Sequence, residues 1–223
     1  MKACTLLPML SFVLFSSGAA LAQDPVKVDP SHYKVVFENA SVRVLRIDYP
    51  VGGKSQMHQH PDAIMVPLGD GKGRFALADG KSEDRDMTNE MALYTPAVTH
   101  SPSNIGTGKM GGLLIEFKAA APGTAELPAS REGMAVKLLA EGPRAVAHRM
   151  TADPTFHEPA GSKHDYDQVV IALGPSQMSL ALDGKAPKTS WARGDVQFIG
   201  RGVPHESKNI GSKPVDFVIV SIR

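Results

Sequence analysis

Three histidines stand where chemistry is most easily built: His58 and His60, two residues apart, and His100, about forty residues further on. On a strand, a period of two sends both side chains of such a pair to one face. Neutral imidazoles from two strands that meet at one point can hold a divalent ion, at about 2.0 to 2.1 Å for zinc and under similar demands for iron or manganese. His58, His60 and His100 are therefore the candidate ligands for Fe2+, Mn2+ or Zn2+. Three neutral ligands leave a divalent ion its formal +2, which polarises a bound carbonyl, enolate or water and favours anionic, bidentate oxygen ligands. If the ion is iron(II) with open cis positions, a chelating substrate and dioxygen can share it, which is the logic of mononuclear dioxygenases. No Glu lies in the motif region to serve as a placed acid or base, so proton-transfer chemistry has less support.

The elements that must position these residues are short strands. The chain has 21 Gly and 17 Pro, too many for a helical bundle, and they fall between brief apolar runs as turn punctuation. VRVLRID at 42 to 48 alternates, IMVPL and VVIAL are apolar throughout, and GDGKG, ADGK and LDGK are turn sequences. A helical period is expected only around Glu132 to Glu141.

Self-comparison shows how the chain is organised. HSPSNIG at 100 to 106 returns as HESKNIG at 205 to 211, an offset of 105 positions that also carries DAIMVPLG onto DQVVIALG and GLLIEFK onto FVIVSIR. A tandem duplication follows, with one copy ending at 118, a Pro-containing linker over 119 to 133, and a second copy over 134 to 223. The expected fold class is all-β, two small antiparallel barrels or jelly rolls that hide their strand edges. The second copy is poorer in ligands: Ser162 replaces the first histidine, while His164 and His205 remain. With Gln168, or with His157 folded inward, they form at most a weak second site. His32 and His148 match no motif position and are read as surface or structural; Met57, Tyr94 and Trp191 are read mainly as packing.

Residues 1 to 22 have the form of a cleaved secretory leader: Lys2, an apolar stretch from Leu6 to Phe15, and Ala20-Leu21-Ala22. Cleavage there removes the only cysteine and leaves 23 basic against 23 acidic residues. A periplasmic or secreted protein without disulfides is expected, with no run of basic residues for nucleic acid and no second membrane-length apolar segment. The expected partner is a small anionic molecule, and an oligomer of the chain is left open.

The run GGKSQMHQHPDAIMVPLGDG, followed by YTPAVTHSPSNIG, resembles the two motifs of the cupin superfamily, in which Gly precedes His-x-His and a Pro-rich turn precedes a third His and an Asn. GDVQFIGRGVPHESKN resembles the second motif again, so the likeness covers both copies and implies a bicupin of two double-stranded β-helix barrels. Each copy is also similar to small one-domain cupins of the kind linked to β-alanine degradation. Three-histidine cupins include oxygenases that cleave diketones or oxidise thiols, so the resemblance implies a metal-dependent oxidoreductase; a binding module without turnover is the alternative. The chain departs from the pattern where cupins usually supply a glutamate, four or five residues after the second His, because Ile64 and Met65 stand there. Asp62 has the strand parity to coordinate instead. Its counterpart Asp167 persists in the copy without a full histidine set, which favours a turn or backbone hydrogen bond.

Overall fold

A computed structural model describes residues 23–89, 91–119 and 124–223. The expected leader lies outside the described residues, as does part of the expected linker. Among the described residues no helix is long and apolar enough to cross a membrane.

After a one-turn helix, α1 (Pro25–Val28), the chain forms strands throughout, and every pairing between named strands is antiparallel. Among the described residues nine lie before residue 118: β1 (Tyr33–Glu38), β2 (Val42–Tyr49), β3 (His58–His60), β4 (Ala63–Pro67), β5 (Gly71–Leu77), β6 (Ser82–Met87), β7 (Leu93–Thr95), β8 (Val98–Asn104) and β9 (Met110–Phe117). Eight follow: β10 (Met134–Gly142), β11 (Ala145–Ala152), β12 (His157–Ser162), β13 (Asp167–Ala172), β14 (Met178–Leu182), β15 (Val196–Ile199), β16 (His205–Asn209) and β17 (Val215–Ile222).

The sheet orders repeat. The first half makes β1-β2-β9-β4-β7 and β3-β8-β5-β6; the second makes β10-β11-β17-β13-β15 and β12-β16-β14. The repeated Asn-Ile-Gly has a local cause. Asn104 donates through Nδ2 to the carbonyl of Gly108 and accepts from Gly106 N, and Asn209 does the same with Lys213 and Gly211. The Asn side chain closes the turn after the third motif histidine by supplying partners to backbone groups that would otherwise be buried without them.

The apolar runs are explained by burial on both faces. Along β4, Ile64 and Val66 face one way, with Val44, Leu113 and Ile115, into a core shared with Ala147, Val169, Ile171, Val218 and Val220 of the second half. Ala63 and Met65 face the other way, with Tyr33, Leu45, Tyr49 and Leu114, into the interior of the first half. The two five-stranded sheets therefore lie back to back, which removes the alternation that a half-exposed strand would show. Approach is close enough that a Cβ on Gly112 would lie 2.5 Å from the carbonyl oxygen of Val66.

The helical expectation over Glu132 to Glu141 is overturned: Met134 to Glu141 belong to β10, paired with β11 on either side of one irregularity. A register shift between Leu138 and Ala140 places Leu139 and Ala140 together against the shared core. One extra residue in a strand breaks the period of two, and the resulting apolar spacing imitates a helical face.

Candidate functional site

His58 and His60 occupy β3, whose alternation buries both and leaves Gln59 exposed. In the β3 to β8 ladder His58 lies opposite His100. Ring centroids are 4.8 Å apart for His58 and His60, 5.1 Å for His58 and His100, and 5.2 Å for His60 and His100, and the three rings are mutually near perpendicular. Each ring offers a nitrogen within 4.8 Å of the other two, an arrangement that could hold a metal ion.

For His58 and His60, hydrogen bonds settle which nitrogen faces inward. Nδ1 of His58 is 2.8 Å from the carbonyl oxygen of Gln56, which only accepts, so Nδ1 carries the proton and a neutral ring presents the Nε2 lone pair. Nδ1 of His60 is 2.8 Å from Glu116 Oε1, and Nε2 of His60 lies 3.0 Å from Nε2 of His58. Nε2 of His100 is buried with no hydrogen-bond partner. Burial first, and then the neighbouring rings, push His58 down to about 4 and His100 down to about 3. Converging lone pairs on His58 and His60, beside a buried and unsatisfied nitrogen of His100, are costly without a cation and fit one well.

Glu116 was not singled out in the sequence. It is 1% exposed, and its second oxygen accepts from Arg43 Nε at 2.6 Å, while Arg43 also donates to Asp24 at 2.5 Å. A carboxylate behind an imidazole fixes its tautomer and raises its basicity. The expectation of three ligands without any compensating charge is thus modified, because a carboxylate stands one imidazole behind the centre. Its signal was an acidic residue inside the apolar run GLLIEFK. Tyr33 was also missed: its hydroxyl is 3.1 Å from His58 Nε2 and accepts from Tyr49 at 2.9 Å.

An apolar cavity of about 180 Å³ opens from His60 and His100, between the two sheets of the first half. Ile47, Met65, Phe75, Met87, Met110 and Leu114 line it. Met65 thus puts a thioether, and Ile64 a side chain of the shared core, where the cupin pattern has its carboxylate. Arg85 reaches the same cavity, with its guanidinium 5.7 Å over the Phe75 ring and paired to Glu83 at 2.6 Å.

Asp62 takes the turn role. It accepts from Ala97 N and from the Tyr94 hydroxyl, each at 2.8 Å, as Asp167 accepts from Arg201 N. Tyr94 both lines the cavity and packs near the shared core; Trp191 is buried in the core of the second half, and Met57 is exposed. His32 pairs with Asp29 near the surface, and His148 is buried, pushed down to about 4 by that burial.

In the second half, Ser162 lies opposite His205, as His58 lies opposite His100. His164 and His205 do come together, with centroids 4.9 Å apart, but the third group is Glu158, 3.3 Å from His205 Nε2 and 3.9 Å from His164 Nε2. Gln168 lines the adjoining cavity of about 40 Å³, and His157 turns outward to Glu206. Contact with the Glu158 carboxylate holds His205 above the ordinary imidazole value. A metal ion there would have to displace that proton, which weakens the site.

No protein-family model and no curated protein sequence matches this chain. Its fold is shared with solved structures of low sequence identity. AerE from Microcystis aeruginosa superposes at a TM-score of 0.67 with 14% identity, over 91% of this chain and 97% of that one. A cupin 2 conserved barrel domain protein from Leptotrichia buccalis gives 0.57 with 15% identity, over 86% and 88%. Salicylate 1,2-dioxygenase from Pseudoaminobacter salicylatoxidans, solved with gentisate, gives 0.62 with 12% identity, over 83% and 70%. These likenesses make the fold that of cupin proteins.

Proposed function

We propose that this chain is a bicupin, with barrels over 23–118 and 134–223 joined by 119–133, that holds a divalent metal on His58, His60 and His100. We further propose a dioxygenase-like reaction on a small oxygenated acid or ketone. The observation that carries the metal reading is the convergence of the His58, His60 and His100 rings, with Nε2 of His100 buried and unsatisfied. When bound, iron or manganese would supply a Lewis acid and a redox partner for dioxygen.

The chain's own residues do the rest. The Gln56 carbonyl and Glu116 fix the tautomers of His58 and His60. The thioethers and aliphatic side chains of the cavity exclude water and receive an apolar body. Arg85 at the same cavity gives an anionic group a charged partner. Periplasmic delivery by a leader over 1–22 belongs to the same reading, and the composition of that segment supports it.

The test is dioxygen uptake by the iron-loaded chain with a panel of 1,3-dicarbonyls, hydroxy acids and aromatic hydroxy acids, with product identified. The expected result is uptake with at least one, abolished in His58→Ala/His100→Ala. A binding module without turnover is the second reading, favoured by Met65 in the usual carboxylate position. It predicts bound metal and thermal stabilisation by a ligand recovered unchanged. The second cluster, Glu158 with His164 and His205, would add at most a weakly held second ion, so metal content should be near one per chain.

A further inference from the structure

Tyr33 is the feature that the metal reading leaves unused. It is the first residue of β1, 1% exposed, and its ring meets His58 edge-on with centroids 5.0 Å apart. It also lines the cavity with His60 and His100. Its hydroxyl has two neighbours of different kinds. On one side Tyr49 donates to it at 2.9 Å; on the other lies His58 Nε2 at 3.1 Å. Since Nδ1 of His58 donates to the Gln56 carbonyl, Nε2 can only accept, and Tyr33 directs its single proton toward the three imidazoles. Tyr49 is itself buried and stacked on His32, with centroids 4.5 Å apart, so the hydroxyl behind Tyr33 has a fixed position.

An ion held by His58 takes the lone pair to which Tyr33 donates. A buried hydroxyl does not stay unpaired without cost. Tyr49 already occupies the other side of the phenolic oxygen, so the O–H must turn to a new acceptor inside the cavity. Resting on the metal reading above, we infer that Tyr33 is a positioning and selectivity residue, whose O–H donates to the anionic oxygen of a ligand seated at the three imidazoles. The class of ligand favoured is a hydroxamate, enolate or carboxylate whose donor oxygen keeps a lone pair for Tyr33. Neutral nitrogen donors, which have no lone pair left once bound to an ion, gain nothing from it.

The experiment uses the full chain loaded with Co2+, with acetohydroxamate and imidazole titrated separately and followed by visible absorption. Tyr33→Phe keeps the ring and removes the donor. The expected result is unchanged Co2+ affinity, acetohydroxamate binding weakened on the order of tenfold, and imidazole binding unaltered. Tyr49→Phe, which leaves Tyr33 in place but frees its orientation, is expected to give a smaller loss in the same direction, and it carries the test if Tyr33→Phe does not fold. Equal losses for both ligands, or none, would overturn the inference while leaving the metal reading intact. Loss of Co2+ itself in Tyr33→Phe would make the phenol a ligand and overturn it in another way. If the unsubstituted chain binds no Co2+, the metal reading fails and this inference falls with it.

Discussion

Glu116 sets the residue scale. Its carboxyl group is buried between His60 and Arg43, touching the ring from behind rather than the point where the three imidazoles converge. Its replacement by Gln should therefore lower metal affinity by about 10 to 100-fold without removing a ligand, measured by competition with a chelator; the exposed Asp84→Asn is the control. The histidines make a second prediction for the metal-free chain. His58 at about 4 and His100 at about 3 both lie below the ordinary 6.5, so the unfolded chain takes up protons before the folded one does. Their contribution to stability is whole above about pH 6.5 and is lost as pH falls toward 4 and then 3. His148 adds to the same trend, since burial depresses it as well. Urea midpoints measured across this range should fall with pH. His100→Gln should flatten the slope, and a slope unchanged in that variant would contradict the assignment.

At the scale of elements, the consequential contact is between β7 and β10. A Cβ on Gly142 would lie 2.3 Å from the Tyr94 ring, whose hydroxyl is tied to Asp62 and whose ring lines the cavity of the first half. Gly142→Ala should therefore cost about 1 to 3 kcal/mol by overpacking, read from the denaturant midpoint. It should also change ligand affinity at a cavity in the other half of the sequence. The same strand shows why local pattern misled: a bulge at Leu138 to Ala140 gave 132 to 141 a helical spacing, although Met134 to Leu138, Ala140 and Glu141 all have partners on β11. By contrast β3 was legible, because in His58-Gln59-His60 the side-chain types and the strand period agree.

For the whole molecule, the two halves share a core. Val42, Ile115 and Phe117 pack in one cluster with Ala145, Ile171 and Ile222, so neither half can be exposed without baring a large apolar face. Unfolding should be a single transition: fluorescence of Trp191, buried in the second half, and Co2+ absorption at the first-half histidines should be lost together. Ile222→Ala should lower both midpoints equally, at a cost of about 2 to 5 kcal/mol. A chain ending at residue 118 should fail to give a soluble folded form, checked by near-ultraviolet dichroism. Separate transitions for the two signals would show that the shared core contributes little.

Some of this was already present in the order of residues. The all-β class follows from turn residues set between short apolar runs, the repeated organisation from an offset of 105, and the three candidate ligands from imidazoles on a strand period. These are local properties, carried by neighbours a few positions apart or by comparison of the chain with itself. What faces an imidazole from another strand is not local. Glu116 comes 56 positions after His60, Tyr33 lies 25 before His58, and Glu158 displaces Gln168 from the second cluster. Pairing of β9 with β2 and β4, pairing of β12 with β16, and the packing of one sheet over another bring those groups within reach. The same packing turned alternating strands into uniformly apolar ones, because both faces of the central sheets meet other protein instead of water.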